Sequence, residues 1–118
     1  MKEKPIRVEE QELNEKLNKF AGFQRLRTSD GNYHWFDAEG NIVSPVDEKG
    51  NVIWDMNACF KWLVSNFPIG IRLRMLGQLR NDKGYFCSID GKYLAHHYSE
   101  AETPALALRL TIEKLIDS

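Results

Sequence analysis

Net charge is nearly absent from this chain. Sixteen lysines and arginines against 17 aspartates and glutamates leave −1 over 118 residues. With no bulk positive field to release counterions, no long nucleic acid is expected as a partner, and any anion site has to be local. Cysteine is scarce too. Cys59 and Cys87 are the pair, both inside apolar stretches and without C-x-x-C spacing, which reads as two buried thiols in a reducing cytosol. No run approaches the roughly 20 apolar residues of a membrane span, and the opening MKEKPIRVEEQ lacks the apolar region of a signal peptide. A soluble, cytoplasmic protein with no membrane partner is the expectation.

Catalytic motifs are missing as well. There is no G-x-x-x-x-G-K-[ST], no G-x-G-x-x-G after a strand and no H-E-x-x-H. His96 and His97 are neighbours on an expected strand, so they point to opposite faces and cannot chelate one metal together. His34 is isolated. No nucleophile is marked beside a base, so neither enzyme activity, nor a cofactor, nor a metal is expected.

What remains is an ordinary globular composition, 42% hydrophobic and 28% charged, long enough for one domain over residues 1–118. A helix is expected at 8–21, with Val8, Leu13, Leu17 and Phe20 as a sparse apolar stripe and Gly22 as its stop. FQRLR at 23–27 is a strand, and NYHWFDAEGNIVSP reads as a hairpin turning at Glu39-Gly40-Asn41. PVDEKGNVIW, with its glycine and proline, reads as an irregular connection, and no internal repeat is evident. Asp55 caps a second helix, MNACFKWLVSNF, apolar nearly all round and so buried. Three strands follow, turning at 81–84 and at Asp90-Gly91, the last of them KYLAHHY. Thr103 and Pro104 then open a final helix reaching about Ile116. Tight turns make the strands antiparallel. The predicted fold class is α+β, an antiparallel sheet packed by helices.

Arginine is where the chain is unusual. FQRLR and GIRLRMLGQLR, residues 70–80, hold five of the seven arginines. Strict alternation puts Ile71, Leu73, Met75 and Leu79 on one face and Arg72, Arg74, Leu76, Gln78 and Arg80 on the other. It likewise puts Phe23, Arg25 and Arg27 on one face. A solvated sheet face explains this pattern, but arginine also binds carboxylate or phosphate with a planar two-pronged fork that lysine lacks. On the last helix, with Leu106 at zero and 100° per residue, Arg109 falls at about 300°, inside the apolar arc and away from Thr111 and Lys114. It needs a partner there: either Glu113 four residues on, or an anionic ligand or second subunit beside the sheet. Aromatic residues near the arginines, among them Phe23, Trp35 and Tyr98, add a means of stacking a base.

WDMNACFKWLV, a meander, and SEAETPALALRLTIEKLIDS together resemble small phage proteins with an ABA-sandwich domain, and within that group the first family of Thoeris anti-defence proteins. The resemblance covers residues 55–118 well and the N-terminal half loosely. It implies a non-catalytic sponge in the host cytoplasm that sequesters a cyclic ADP-ribose isomer in pockets at a homodimer interface. It also implies dimers gathered into a larger ring, with cyclic oligonucleotides as further ligands at separate sites. It places the family's closing-helix arginine on Arg109. Strand phase adds Arg72, Arg74, Arg25, Arg27, Phe23, Trp35 and Tyr98 to the expected ligand set, with Thr103 at the helix start. The competing expectations are a protein-interaction module that sets an arginine-rich sheet face on an acidic partner, as an anti-restriction or assembly factor, and a hydrolase of the same signal.

Overall fold

Leu13 and Leu17 sit four apart on helix α1 (Val8–Phe20) and are almost completely buried, each contributing roughly 1.5–3 kcal/mol of apolar burial. Gly22, at φ 79°, stops the helix in the left-handed region that a side chain disfavours. The computed structural model describes residues 8–80, 83–92 and 95–117. The Val8 side chain, part of the expected turn at 81–84 and part of the expected strand at 92–98 lie outside the described residues.

Strands β1 (Gln24–Arg27) and β2 (Tyr33–Phe36) form an antiparallel two-stranded sheet. Three similar loops punctuate this half: Thr28–Asn32, Asp37–Asn41 and Asp47–Asn51. In each, the first residue's amide donates to the asparagine carbonyl four residues on, at 2.8 to 2.9 Å, and the glycine amide donates back at 3.0 Å. Asp37 and Asp47 each accept two further amides through Oδ1 at 2.9 Å. In the first loop Asp30 Oδ1 accepts the Asn32 amide at 2.9 Å and the Thr28 hydroxyl donates to the Asn32 carbonyl. Gly31, Gly40 and Gly50 all take φ between 80° and 86°. The chain therefore does contain a short repeat, x-x-x-Gly-Asn. Residues 45–54 are not irregular but a third reversal, closed by the Val46–Val52 bridge.

Asp55 caps helix α2 (Met56–Ala58) by accepting the Ala58 amide at 2.8 Å. After one α turn the helix widens to a π turn, Cys59–Leu63, and narrows to a 3₁₀ turn, Val64–Asn66. Side chains compete for its carbonyls, Ser65 bonding that of Lys61 and Asn66 that of Trp62, as residues of this type do inside helices. The irregular pitch buries Cys59, Trp62 and Leu63 but turns Phe60 outward, against the even apolar wheel expected.

Strands β3 (Arg72–Gln78), β4 (Tyr85–Asp90) and β5 (His96–Ala101) form an antiparallel sheet in that order. Helix α3 (Pro104–Asp117) crosses its inner face and packs on α1. Thr111 lies on that inner side and is fully buried. Its hydroxyl is bonded to the Ala107 and Cys87 carbonyls at 2.8 and 3.3 Å, which corrects its expected polar-face position. The architecture is α+β with two antiparallel sheets. No helix among the described residues is long and apolar enough to cross a membrane.

Candidate anion site on the open sheet face

Leu73 and Leu76 are three residues apart, an odd spacing that strict alternation would send to opposite faces. A β-bulge resolves the conflict. Leu73 pairs with Ile89 and Met75 with Ser88, leaving Arg74 as the extra residue. Beyond it the phase reverses: Leu76 meets buried Cys87 on the core side, and Met75 turns outward, 56% exposed. The expected placement of Met75 inside and Leu76 outside is thereby overturned.

The outer face consists of three rows across the strands. Arg72, Asp90 and His96 form the first, Met75, Ser88 and Tyr98 the second, and Gly77, Phe86 and Glu100 the third. Phe86 and Tyr98 stack with centroids 6.1 Å apart. A Cβ on Gly77 would come within 3.2 Å of the Phe86 ring, so glycine lets that ring lie over β3.

The first row is where charge gathers. Arg72 Nε lies 3.6 Å from Asp90 Oδ2 and Arg74 Nη1 4.0 Å from Asp90 Oδ1. His96 Nδ1 is 2.8 Å from the same Oδ1. The hydrogen bond from His96 is the main reason the Asp90 carboxyl is held below its usual range; desolvation opposes it, and the charges of Arg74, His96 and Arg72 each add a smaller lowering. A shallow cavity of about 700 Å³ opens beside this row, lined by Arg72, Asp90, Lys92 and His96 together with Ile69 and Ile71. Arg72 and Arg74 remain 82% and 57% exposed, so both guanidinium groups can swing toward a ligand.

The other expected site residues lie elsewhere. Arg109 is 8% exposed and bridges α3 to α1, donating to Glu10 Oε1 at 3.0 Å and to Asn14 Oδ1 at 2.9 Å. Its partner is therefore not Glu113, which pairs with Lys16. Phe23 is in the core, stacked on Trp54 at 5.3 Å with its edge to Trp62. Trp35, half-buried, packs against that core. Thr103 caps α3, accepting the Leu106 amide at 3.1 Å. Arg25 and Arg27 share a face of the small sheet with Trp35 and Tyr33, as strand phase implies, and Arg25 lies 5.3 Å over the Tyr33 ring.

Of the expected set, then, Arg72, Arg74 and Tyr98 share the open face. No protein-family description, curated protein or solved structure matches this chain. Sequence reasoning missed Asp90 and His96. Asp90 was expected to turn the chain, yet it ends β4 opposite both Arg72 and His96. Its only signal was register: counting back along β4 and allowing for the bulge brings it level with Arg72.

Proposed function

We propose that this chain captures a small nucleotide messenger of the cyclic ADP-ribose type and sequesters it without degrading it, as a phage anti-defence sponge would. The observation that carries this reading is the convergence of Arg72, Arg74 and His96 on a single carboxylate beside a cavity that Lys92 also lines. Guanidinium forks suit phosphate oxygens. Tyr98 is two residues along β5 from His96, about 7 Å on, which suits a ring attached to a phosphate. Capture of this kind works by equilibrium, so affinity and copy number matter and turnover does not.

Arg109 enters this reading as a support for the α1–α3 packing and not as a contact to phosphate, because its donors are occupied by Glu10 and Asn14. The homodimer belongs to the same proposal. Light scattering that finds only a 13.7 kDa monomer at micromolar concentration would remove it.

The test is direct. The protein is incubated with candidate cyclic nucleotides, washed free of excess and heat-denatured, and the supernatant is analysed by mass. A sponge returns the ligand intact, a hydrolase returns a product of altered mass, and Arg72→Ala/Arg74→Ala returns neither. Exposed Met75 and Tyr98 favour a second reading, in which the open face docks an acidic protein partner. That reading expects no nucleotide in the supernatant.

A further inference from the structure

Asp90 occupies the place an incoming anion would take. Its contacts to Arg72 and Arg74, 3.6 and 4.0 Å, are longer than the roughly 2.7–2.9 Å of a charge-assisted hydrogen bond. The short contact in the cluster, 2.8 Å, is the one to His96. The arginines are thus loosely held by a carboxylate that a histidine holds tightly. We propose that Asp90 is the site's internal competitor for Arg72 and Arg74, and that His96 sets how strongly it competes, so that capture of a phosphate or sulfate ester tightens when His96 gains a proton. This rests on the anion-site reading above and adds its regulation.

The groups around His96 fix the sign. Among the described residues, Arg72 and Arg74 face it from β3, Asp90 from the end of β4 and Lys92 from the loop that follows. On its own strand Glu100 shares the face four residues away and His97 points to the other side. With neutral imidazole, the two arginines are the cations that Asp90 meets. Asp90 then receives a hydrogen bond from His96 but no charge, and the arginines are its only strong counterions. An imidazolium supplies both the bond and the charge, which weakens Asp90's hold on the guanidinium groups and adds a cation to the site. Asp90 itself stays ionised from pH 5.5 to 8, because its carboxyl is held below the usual range, and histidine is the side chain type whose charge ordinarily changes in that range. One added charge some 6 Å from a bound anion, in a site this exposed, changes affinity by about three- to tenfold. By linkage, anion binding and protonation of His96 favour each other to the same extent.

Inorganic sulfate is the probe, since its charge does not change over this range. The full chain is titrated with sulfate by NMR at constant ionic strength and several pH values. Affinity is expected to weaken by about three- to tenfold from pH 5.5 to 8, with its inflection at the imidazole titration of His96. Saturating sulfate should move that titration to higher pH. His96→Gln should flatten the profile, Asp90→Asn should tighten binding at pH 8, and His97→Gln should leave the profile in place. A flat wild-type profile, a profile that survives His96→Gln, or no sulfate binding at any pH overturns the proposal. Nucleotide captured while the sulfate profile is flat would sink this inference alone. A sulfate profile as described without nucleotide capture would sink the nucleotide reading alone.

Discussion

Both arginine-rich strands run along sheet edges, β1 beside β2 alone and β3 at the margin of the three-stranded sheet. Arginine on an edge needs no ligand to explain it, because charge and bulges both discourage a stray strand from pairing there. The two strands differ in what surrounds them. Each region also holds an aspartate paired with a histidine, Asp30 with His34 at 3.2 Å and Asp90 with His96 at 2.8 Å. Asp30 is consumed by its own loop, bonded to the Thr28 hydroxyl and the Asn32 amide, while Arg25 rests on Tyr33. Asp90 instead stands between two guanidinium groups at a cavity. Arginine becomes a site through its neighbours, not through its count.

The sharpest way to break this contrast is to remove each pair of arginines in turn. A hydrogen bond to a charged group contributes roughly 1.5–3 kcal/mol, so Arg72→Ala/Arg74→Ala should weaken anion capture by about 100-fold. Both side chains are well exposed, and the melting temperature should barely change. Arg25→Ala/Arg27→Ala should leave capture within about twofold of wild type, on the scale of a remote, screened surface charge. Calorimetry that finds equal losses in the two double variants would erase the distinction.

Arg109 is the third setting for an arginine, and the one where stability is expected to respond. Removing it leaves Glu10 and Asn14 without their donor at the α1–α3 contact. Loss of one partner of a fully buried pair costs roughly 3–5 kcal/mol. Glu10 is 34% exposed, so about 2 kcal/mol is the better figure here. Arg109→Lys should recover little, since one ammonium cannot reach both acceptors along two directions. Urea denaturation reads this directly. A stable Arg109→Ala variant that has lost capture would return Arg109 to the ligand site.

Much of this fold was legible because local rules agreed. The caps at Asp55 and Thr103 and the Gly22 stop all act through near neighbours, and the helix starts and stops follow from them. The bulge at Arg74 was not legible, because it is demanded by Leu73 and Leu76 both seeking a core that strand periodicity alone does not locate. The partner of Arg109 lies 99 residues away in the chain, beyond any helical wheel. The loop repeat was readable in Thr-Ser-Asp-Gly-Asn, Asp-Ala-Glu-Gly-Asn and Asp-Glu-Lys-Gly-Asn, and its variation at the first position hid it. Of the site, the arginines of β3 and Tyr98 could be named from phase. Asp90 and His96 required cross-strand register.

The bulge itself can be tested on the two residues whose faces it exchanges. Leu76→Ala removes side-chain packing opposite Cys87 and should cost about 2 kcal/mol, at the low end for a core leucine because Leu76 is only half-buried. Met75→Ala, on the open face, should stay within about 0.5 kcal/mol. The reverse order would restore strict alternation and move Arg74 back into phase with Arg72.

The smallest expected effect separates the two aspartates by their response to acid. Asp30 is held far below the ordinary carboxyl range, first by the Thr28 hydroxyl, then by the Asn32 amide and His34. A carboxyl lowered in the folded state contributes its stabilisation above the unfolded value of 3.8 and loses it as pH falls through the folded value. Acidification should therefore loosen the 28–32 loop locally while the rest of the small sheet persists. Hydrogen exchange at the Gly31 and Asn32 amides, compared with the homologous Gly40 and Asn41 positions of the next loop, reports it. Asp30→Asn should start from a weaker loop and show less further change with acid, and it should leave sulfate binding untouched, because Asp30 meets none of the β3 arginines. Asp90→Asn should do the opposite, changing sulfate binding and leaving the 28–32 amides alone. If Asp30→Asn alters sulfate affinity as much as Asp90→Asn does, the two histidine–aspartate pairs are not the separate devices that their surroundings make them.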